Sequence, residues 1–194
     1  MSYTQRDEEP AILAACANAE RTRFLDIGAF DPIVMSNTRA LYEAGWTGVL
    51  IEPSPKCVRA LVMEYGHQQN IGMSVISAAV GLDSELITIL ITDDAVSAEN
   101  PKLGWILKGG YIGKMLVHAI TIPQILSRFG AFDFVSIDTE GTSVDLLKVL
   151  LATEMFPRCI CCEYDDRLAE AQMAAHARGY KVVHTTTENV IFSL

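Results

Sequence analysis

The sequence predicts one doubly wound α/β domain: a mostly parallel sheet of about seven strands, helices on both faces, and an antiparallel hairpin at its C-terminal end. Three observations lead there. Short β-rich apolar runs alternate with helical stretches, the pattern of a parallel sheet buried on both faces. An early apolar run closes on an acid and a glycine, Asp26 and Gly28, before a helix begins. The final two strand-like runs are joined by a tight turn, so they pair antiparallel at the sheet edge.

Taken in order, a helix is expected over 10–20, with Pro10 in its first turn. The first strand is 23–27. A helix over 36–44 opens on Ser36 as N-cap and stops at Gly45. The second strand, 48–51, leads to Ser54 and Pro55, a cap and first-turn pair for a helix ending near Gly66. Strands at 73–77 and 86–91 follow. The polar, Gly-rich run 92–114 has no clear period, and a loop of that length in a compact domain is commonly functional. The span 92–115 is therefore a candidate substrate loop or lid, with Gly104, Gly109 and Gly110 as hinges and Trp105 as a lining residue. A strand over 116–121 and a helix opened by Pro123 come next. Then follow a central strand over 132–137, a helix over 143–153, a strand over 158–162 and a helix over 165–178. Runs 181–184 and 190–194 form the closing hairpin. No linker or repeat divides the 194 residues, so one domain is expected, with 1–22 as its N-terminal helical segment.

Composition narrows the function. The formal net charge is −9, from 24 acidic and 15 basic residues, and the bases are scattered. Neutralising a phosphate backbone needs clustered Lys and Arg, so no nucleic-acid partner is expected. No run approaches the ~18 apolar residues of a membrane span, and the first ten residues do not read as a signal peptide. Five cysteines in a chain that needs no staples suggest reduced thiols and a cytoplasmic protein. Cys159 and Cys162 are spaced C-x-x-C but fall in a strand, where they point to opposite faces and read as core.

The chemistry is carried by strand ends. In F-L-D-I-G-A-F-D (24–31), Gly28 lets backbone approach a ligand closely. Dinucleotide binders place G-x-G-x-x-G here to cradle a pyrophosphate; this loop has one glycine, then Ala29, Phe30 and Pro32. It suits a zwitterionic amino-acid group, with Asp26 available to an ammonium. At the end of the second strand, Glu52 is placed to accept hydrogen bonds from a ribose diol. Together these elements describe a nucleoside cofactor without a pyrophosphate, a description that S-adenosylmethionine fits.

D-I-G-A-F-D, S-N-T (36–38), G-W-T-G-V-L-I-E-P-S-P (45–55), F-D-F-V-S-I-D-T-E-G (132–141) and the closing N-V-I-F (189–192) occur in order. The set resembles the FkbM-type methyltransferases from Phe24 to Phe192. The resemblance implies a Rossmann-like class I methyltransferase fold and methyl transfer from S-adenosylmethionine to a hydroxyl, on a sugar or small metabolite. The chain departs from the family at Pro32 and Phe30, in the floor of the cofactor site, and at Ser143 in the helix after E-G.

The resemblance and the fold geometry together imply roles for named residues. Asp26, Gly28 and Ala29 would hold the methionine part, with Phe30 beside them. Glu52 would take the ribose, with Pro53 following it, and 77–79, including Ser77 and Ala79, would meet the adenine through backbone groups. Asn37 would touch cofactor or substrate. Asp138, with Glu140 near it, would lie beside the sulfonium and serve as first candidate for the base that removes the hydroxyl proton. Glu163 stands behind it, and His184 is a further candidate. Plainer roles compete: Asp26 as a cap for loop amides, Asp138 and Glu140 as helix caps, Asn37 as a first-turn residue. Asp138 and Glu163, with Asp165 and Asp166, have the oxygen chemistry of a Mg²⁺ or Ca²⁺ site, but acids before a helix are commoner without one, and no metal is expected. A methyltransferase acting on nitrogen or on a macromolecule, and a non-catalytic S-adenosylmethionine-binding module, remain as alternatives.

Overall fold

A computed structural model of the chain describes residues 2–67, 71–92, 97–98 and 111–194. The helices are α1 (Glu8–Cys16), α2 (Arg39–Glu43), α3 (Pro55–Tyr65), α4 (Ile122–Phe129), α5 (Ser143–Ala152) and α6 (Leu168–His176). The main sheet comprises β1 (Arg23–Ile27), β2 (Thr47–Glu52), β3 (Met73–Ser77), β8 (Phe134–Ile137), β9 (Cys159–Glu163), β10 (Lys181–Thr185) and β11 (Asn189–Ser193). Its seven strands run in the order β10-β11-β9-β8-β1-β2-β3. Pairing is parallel from β9 through β3, whereas β11 is antiparallel to both β9 and β10. The predicted fold class and the closing antiparallel pair are present. β11 sits inside the sheet, and β10 forms its edge.

Alternation of side chains across the strands builds two apolar layers. Phe24, Leu50, Phe134 and Cys161 point to one face, where they meet Ile12 and Cys16 of α1, Leu41 of α2, and Leu61 and Tyr65 of α3. Leu25, Ile27, Val49 and Val135 point to the other, against Ile125 of α4, Leu146 and Leu150 of α5, and Ala175 of α6. Burial of each such side chain stabilises the fold by roughly 1.5–3 kcal/mol. The five cysteines are free and buried, with Cys159 and Cys162 in opposite layers as the strand period requires. Among the described residues no helix is long and apolar enough to cross a membrane.

A second sheet departs from expectation. β4 (Ala79–Val80), β5 (Leu86–Thr92), β6 (Ser97–Ala98) and β7 (Tyr111–Ile120) pair in the order β4-β7-β5-β6. β5 and β7 are antiparallel, from Leu86 opposite His118 to Thr92 opposite Tyr111. The sequence placed 92–114 in one loop, but Thr92, 97–98 and 111–114 are strand. Cross-strand pairing supplies an order that the local composition does not advertise. Residues 93–96 and 99–110, which hold Trp105, Gly104, Gly109 and Gly110, lie outside the described residues. α1 also differs: it begins at Glu8 and ends at Cys16, so Pro10 is its third residue.

Two polar devices fix the frame. Thr121 caps α4, accepting from the Gln124 amide while the Gln124 side chain accepts from the Thr121 amide. At the amino ends of the central strands, buried Asp133 accepts from the amides of Arg21 at 2.6 Å and Thr22 at 2.9 Å. This carboxylate ties the approach to β1 against β8. Replacing it by Ala leaves two amides without their acceptor. We expect Asp133→Ala to lower stability in urea unfolding by about 2–3 kcal/mol, with ligand binding at the opposite strand ends unaffected.

Candidate active site

The carboxyl ends of β1, β2, β8 and β9 open into a cavity of ≈ 280 Å³. Its floor depends on Gly28. The Gly28 and Ala29 amides both donate to the Ile51 carbonyl, and the Asp138 amide donates to the Ile27 carbonyl. The three central strands therefore finish side by side. Gly28 has φ +80°, and a Cβ there would lie 1.7 Å from the Asp138 carbonyl oxygen. No side chain fits.

On the β1 side, buried Asp26 accepts from the Thr38 hydroxyl at 2.6 Å, and the Ser136 hydroxyl also bonds to it. Asn37 donates to that same Ser136 hydroxyl. Asp26 thus joins β1, β8 and the turn before α2. Burial pushes its carboxyl up to about 6 despite these hydroxyls. Glu52, at the end of β2, accepts from the Ser54 amide at 2.7 Å and the Phe30 amide at 3.1 Å. Burial pushes it up to about 7. Each of its oxygens keeps a lone pair for a further donor. Pro32 contributes its carbonyl, which accepts from the buried Tyr65 hydroxyl and pins the loop to α3.

The β8 and β9 side is acidic. Asp138, Glu140 and Glu163 each present an oxygen within 4.8 Å of the others. Asp138 and Glu163 are joined carboxyl to carboxyl, and burial together with neighbouring negative charge raises both. One proton between two such groups is the stable arrangement. Glu163 also accepts from the Glu140 amide and the Ser143 hydroxyl, so Ser143 holds this carboxyl in place. Glu140 is pushed up to about 8, by burial first and then by Glu163, Asp165 and Glu188. The backbone around the cavity is strained as well. Phe30, Met35, Glu140, Asp165 and Asp166 all have positive φ without being glycine, a feature that concentrates at ligand sites.

Of the residues nominated from sequence, Asp26, Gly28, Ala29, Phe30, Asn37, Glu52, Pro53, Ala79, Asp138 and Glu163 line this one cavity. Ser77 is at the exposed end of β3, and within the expected stretch 77–79 it is Ala78 and Ala79 that line the wall. His184 lies on β10 against Asp7 at 3.1 Å, apart from the lining residues. Sequence reasoning missed Gln5, Met35, Ile87, Ile89, Thr142 and Glu188, which also line the cavity. Gln5 and Glu188 are brought close by the Arg6–Glu188 ion pair, a contact across most of the chain with no local signature.

The family described as Methyltransferase FkbM domain matches residues 26–178 of this chain. Among solved structures, methyltransferase FkbM from Methylobacillus flagellatus KT is similar at 14% identity and a TM-score of 0.51, over 89% of this chain and 43% of that one. Precorrin-6y C5,15-methyltransferase from Geobacter metallireducens GS-15 is similar at 10% identity and a TM-score of 0.53, over 100% of this chain and 91% of that one. At these identities both likenesses speak for the fold. This chain spans less than half the length of the Methylobacillus structure. None of the curated proteins matches the sequence.

The raised carboxyls make stability depend on pH. A carboxyl with an ordinary value of 4.5 that sits at about 8 when folded, as Glu140 does, binds more protons in the folded state between those values. Its contribution is therefore present below the ordinary range and is lost as pH rises through about 8. Glu52 adds the same sign up to about 7. The Tm should fall as pH rises from 5 to 8.5, and Glu140→Gln should flatten the fall and raise the Tm at the alkaline end by roughly 2–4 °C, the shift that ~1 kcal/mol gives in a chain of this size. Scanning calorimetry across that range checks it; an unchanged slope in the variant would remove Glu140 from the account.

Proposed function

Because the chain belongs to the methyltransferase FkbM domain family, we propose that it methylates a hydroxyl group on a sugar or small metabolite. The methyl donor implied by that membership is S-adenosylmethionine. The residues present fit it. Glu52 is fixed by two amides with lone pairs to spare for a diol, Gly28 clears the floor, and Ala78, Ala79 and Val80 offer an apolar wall for a base. Bound there, the donor supplies an electrophilic methyl group on a sulfonium.

The observation that carries the reading is the Asp138–Glu163 carboxyl pair in the same cavity as Glu52. A general base works best when its pKa lies near the working pH, and burial, followed by the neighbouring Glu140 charge, moves Asp138 in that direction. Asp138 accepts the proton that leaves the acceptor hydroxyl. Glu163, steadied by Ser143 and the Glu140 amide, keeps the proton that the pair already holds and donates it to Asp138, so that Asp138 stays ionised and oriented to take up the hydroxyl proton. The net charge of −9 suits a small or carbohydrate acceptor rather than nucleic acid, and the five reduced thiols suit the cytoplasm.

Titration calorimetry should show S-adenosylhomocysteine binding in the micromolar range, weakened at least about tenfold by Glu52→Ala, the loss of one charge-assisted contact. Absence of binding would withdraw the methyl-transfer reading. With a turned-over acceptor in hand, Asp138→Asn should lower kcat by about 10²–10⁴. Activity that survives both Asp138→Asn and Glu163→Gln would remove the base assignment and leave the donor assignment standing. Donor binding with no turnover on any hydroxyl would favour a non-catalytic module.

A further inference from the structure

The chain on either side of Gln5 is tied to opposite rims of the cavity. Before it, the Tyr3 carbonyl accepts from the Ser36 amide at 3.0 Å, and the Tyr3 hydroxyl donates to the Glu43 carboxylate of α2 at 2.9 Å. After it, Arg6 pairs with Glu188 Oε1 at 3.3 Å. The buried Glu8 carboxylate then accepts from the Thr186 hydroxyl and the Asn189 side-chain amide of the β10–β11 hairpin. Ser36 and Glu188 both line the cavity. Ser36 stands beside Thr38, the partner of Asp26 on β1, and Glu188 precedes Asn189, which is paired with Glu163 of β9. Residues 3–6 therefore form a strap from the β1 side to the β9 side. Gln5, between the fixed points, lines the cavity. Gln5, Arg6 and Glu188 all lie outside the residues 26–178 that match the family.

Gln5 has unused hydrogen-bonding capacity. Its side-chain amide carries two N–H donors and an acceptor oxygen, and it has no hydrogen-bond partner among the described residues. Such donors are scarce in this cavity. Among the described residues that line it there is no Lys, Arg, His or Trp, so Gln5 and Asn37 alone bring side-chain N–H groups. Asn37 Nδ2 is engaged with the Ser136 hydroxyl at 3.1 Å. The methyl donor needs the other one. Its amino-acid end carries an ammonium, for which Asp26 is at hand, and a carboxylate, for which this lining holds no cation. A carboxylate drawn out of water without N–H donors is costly. An amino-acid group held by Asp26 has its carboxylate in the part of the cavity that the strap crosses.

Resting on the methyl-transfer reading above, we propose that Gln5 is a donor-binding residue, whose side-chain amide takes the amino-acid carboxylate of S-adenosylmethionine and is positioned by the strap anchored at Ser36 and Glu188. A neutral amide suits the place. A Lys or Arg at position 5 would pair with the neighbouring glutamates and leave the ligand carboxylate unserved. Arg6 acts through Gln5 as a positioning residue, since its ion pair fixes the far end of the strap.

Calorimetry on the full chain with two ligands isolates the contact: S-adenosylhomocysteine, and its decarboxylated counterpart, which keeps the nucleoside, the sulfur and the ammonium. Wild type should bind the first about tenfold or more tightly than the second. Gln5→Ala should weaken S-adenosylhomocysteine about tenfold, the worth of one hydrogen bond to a charged group, and leave the decarboxylated ligand within about twofold. Gln5→Glu, close in shape, should weaken S-adenosylhomocysteine further by setting one carboxylate against another. Arg6→Ala should weaken it several-fold in wild type and add nothing in Gln5→Ala, a non-additivity that a merely structural role does not produce. Because Gln5 is exposed, both of its variants should keep the Tm within about 1 °C. The proposal is overturned if wild type does not distinguish the two ligands, or if Gln5→Ala weakens both equally or neither. It is also overturned if Gln5→Glu binds S-adenosylhomocysteine as wild type does, or if the effect of Arg6→Ala is undiminished in Gln5→Ala. Failure of wild type to bind S-adenosylhomocysteine at all is a different result and strikes the underlying reading instead.

Discussion

The parallel pairing of β1 with β2 on one side and β8 on the other ends within a residue of Gly28, and the positions of Asp26, Glu52 and Asp138 follow from that register. Asp26 lies between Leu50 and Ser136, and Ile27 between Ile51 and Ile137. The backbone then closes so tightly that the Gly28 α-carbon faces the Asp138 carbonyl with no room for a methyl group. Glu52, Asp138 and Glu163 each end, or directly follow, a neighbouring strand. The sheet delivers them to a common opening without any contact between them in sequence. Two packed helical layers hold the register, because a slip of one residue would exchange the core faces of Phe24 and Leu25.

The same geometry explains the electrostatics. Strand ends brought together by backbone pairing cannot spread their charges, and the wall beside them is apolar at Ala78, Val80 and Ile89. Burial then raises the carboxyls, and proximity raises them further. Left-handed backbone at Phe30 and Glu140 serves the same end. At Phe30 it aims an amide at Glu52, and at Glu140 it aims one at Glu163. The strain and the desolvation are costs borne by a frame in which Asp133 and Thr121 are well satisfied.

Much of this was legible in the sequence for a physical reason. A side chain at the end of a parallel strand has its place set by the strand alone, so Asp26, Glu52, Asp138 and Glu163 could be assigned to one edge without knowing any tertiary contact. Within the expected stretch 77–79, Ala78 and Ala79 line the cavity, while Ser77 is the exposed last residue of β3. Non-local contributions were illegible. Ile87 and Ile89 reach the wall through the β5–β7 pairing, and the alternation within β5 does not say which sheet it joins. Gln5 and Glu188 come from opposite ends of the chain. His184, attractive by residue type, faces Asp7 because β10 is the outermost strand.

The placement of β11 has a consequence for synthesis. β10 precedes β11 along the chain but reaches the sheet only through it. A nascent polypeptide that has emerged as far as Thr185 therefore carries a strand with nowhere to dock, and β9 presents an open row of amides and carbonyls. Only when Asn189–Ser193 leaves the ribosome can the gap be filled from both sides at once. The sheet cannot be completed strand by strand during translation. In that interval the partly made protein displays the kind of bare edge that chaperones recognise and that seeds aggregation.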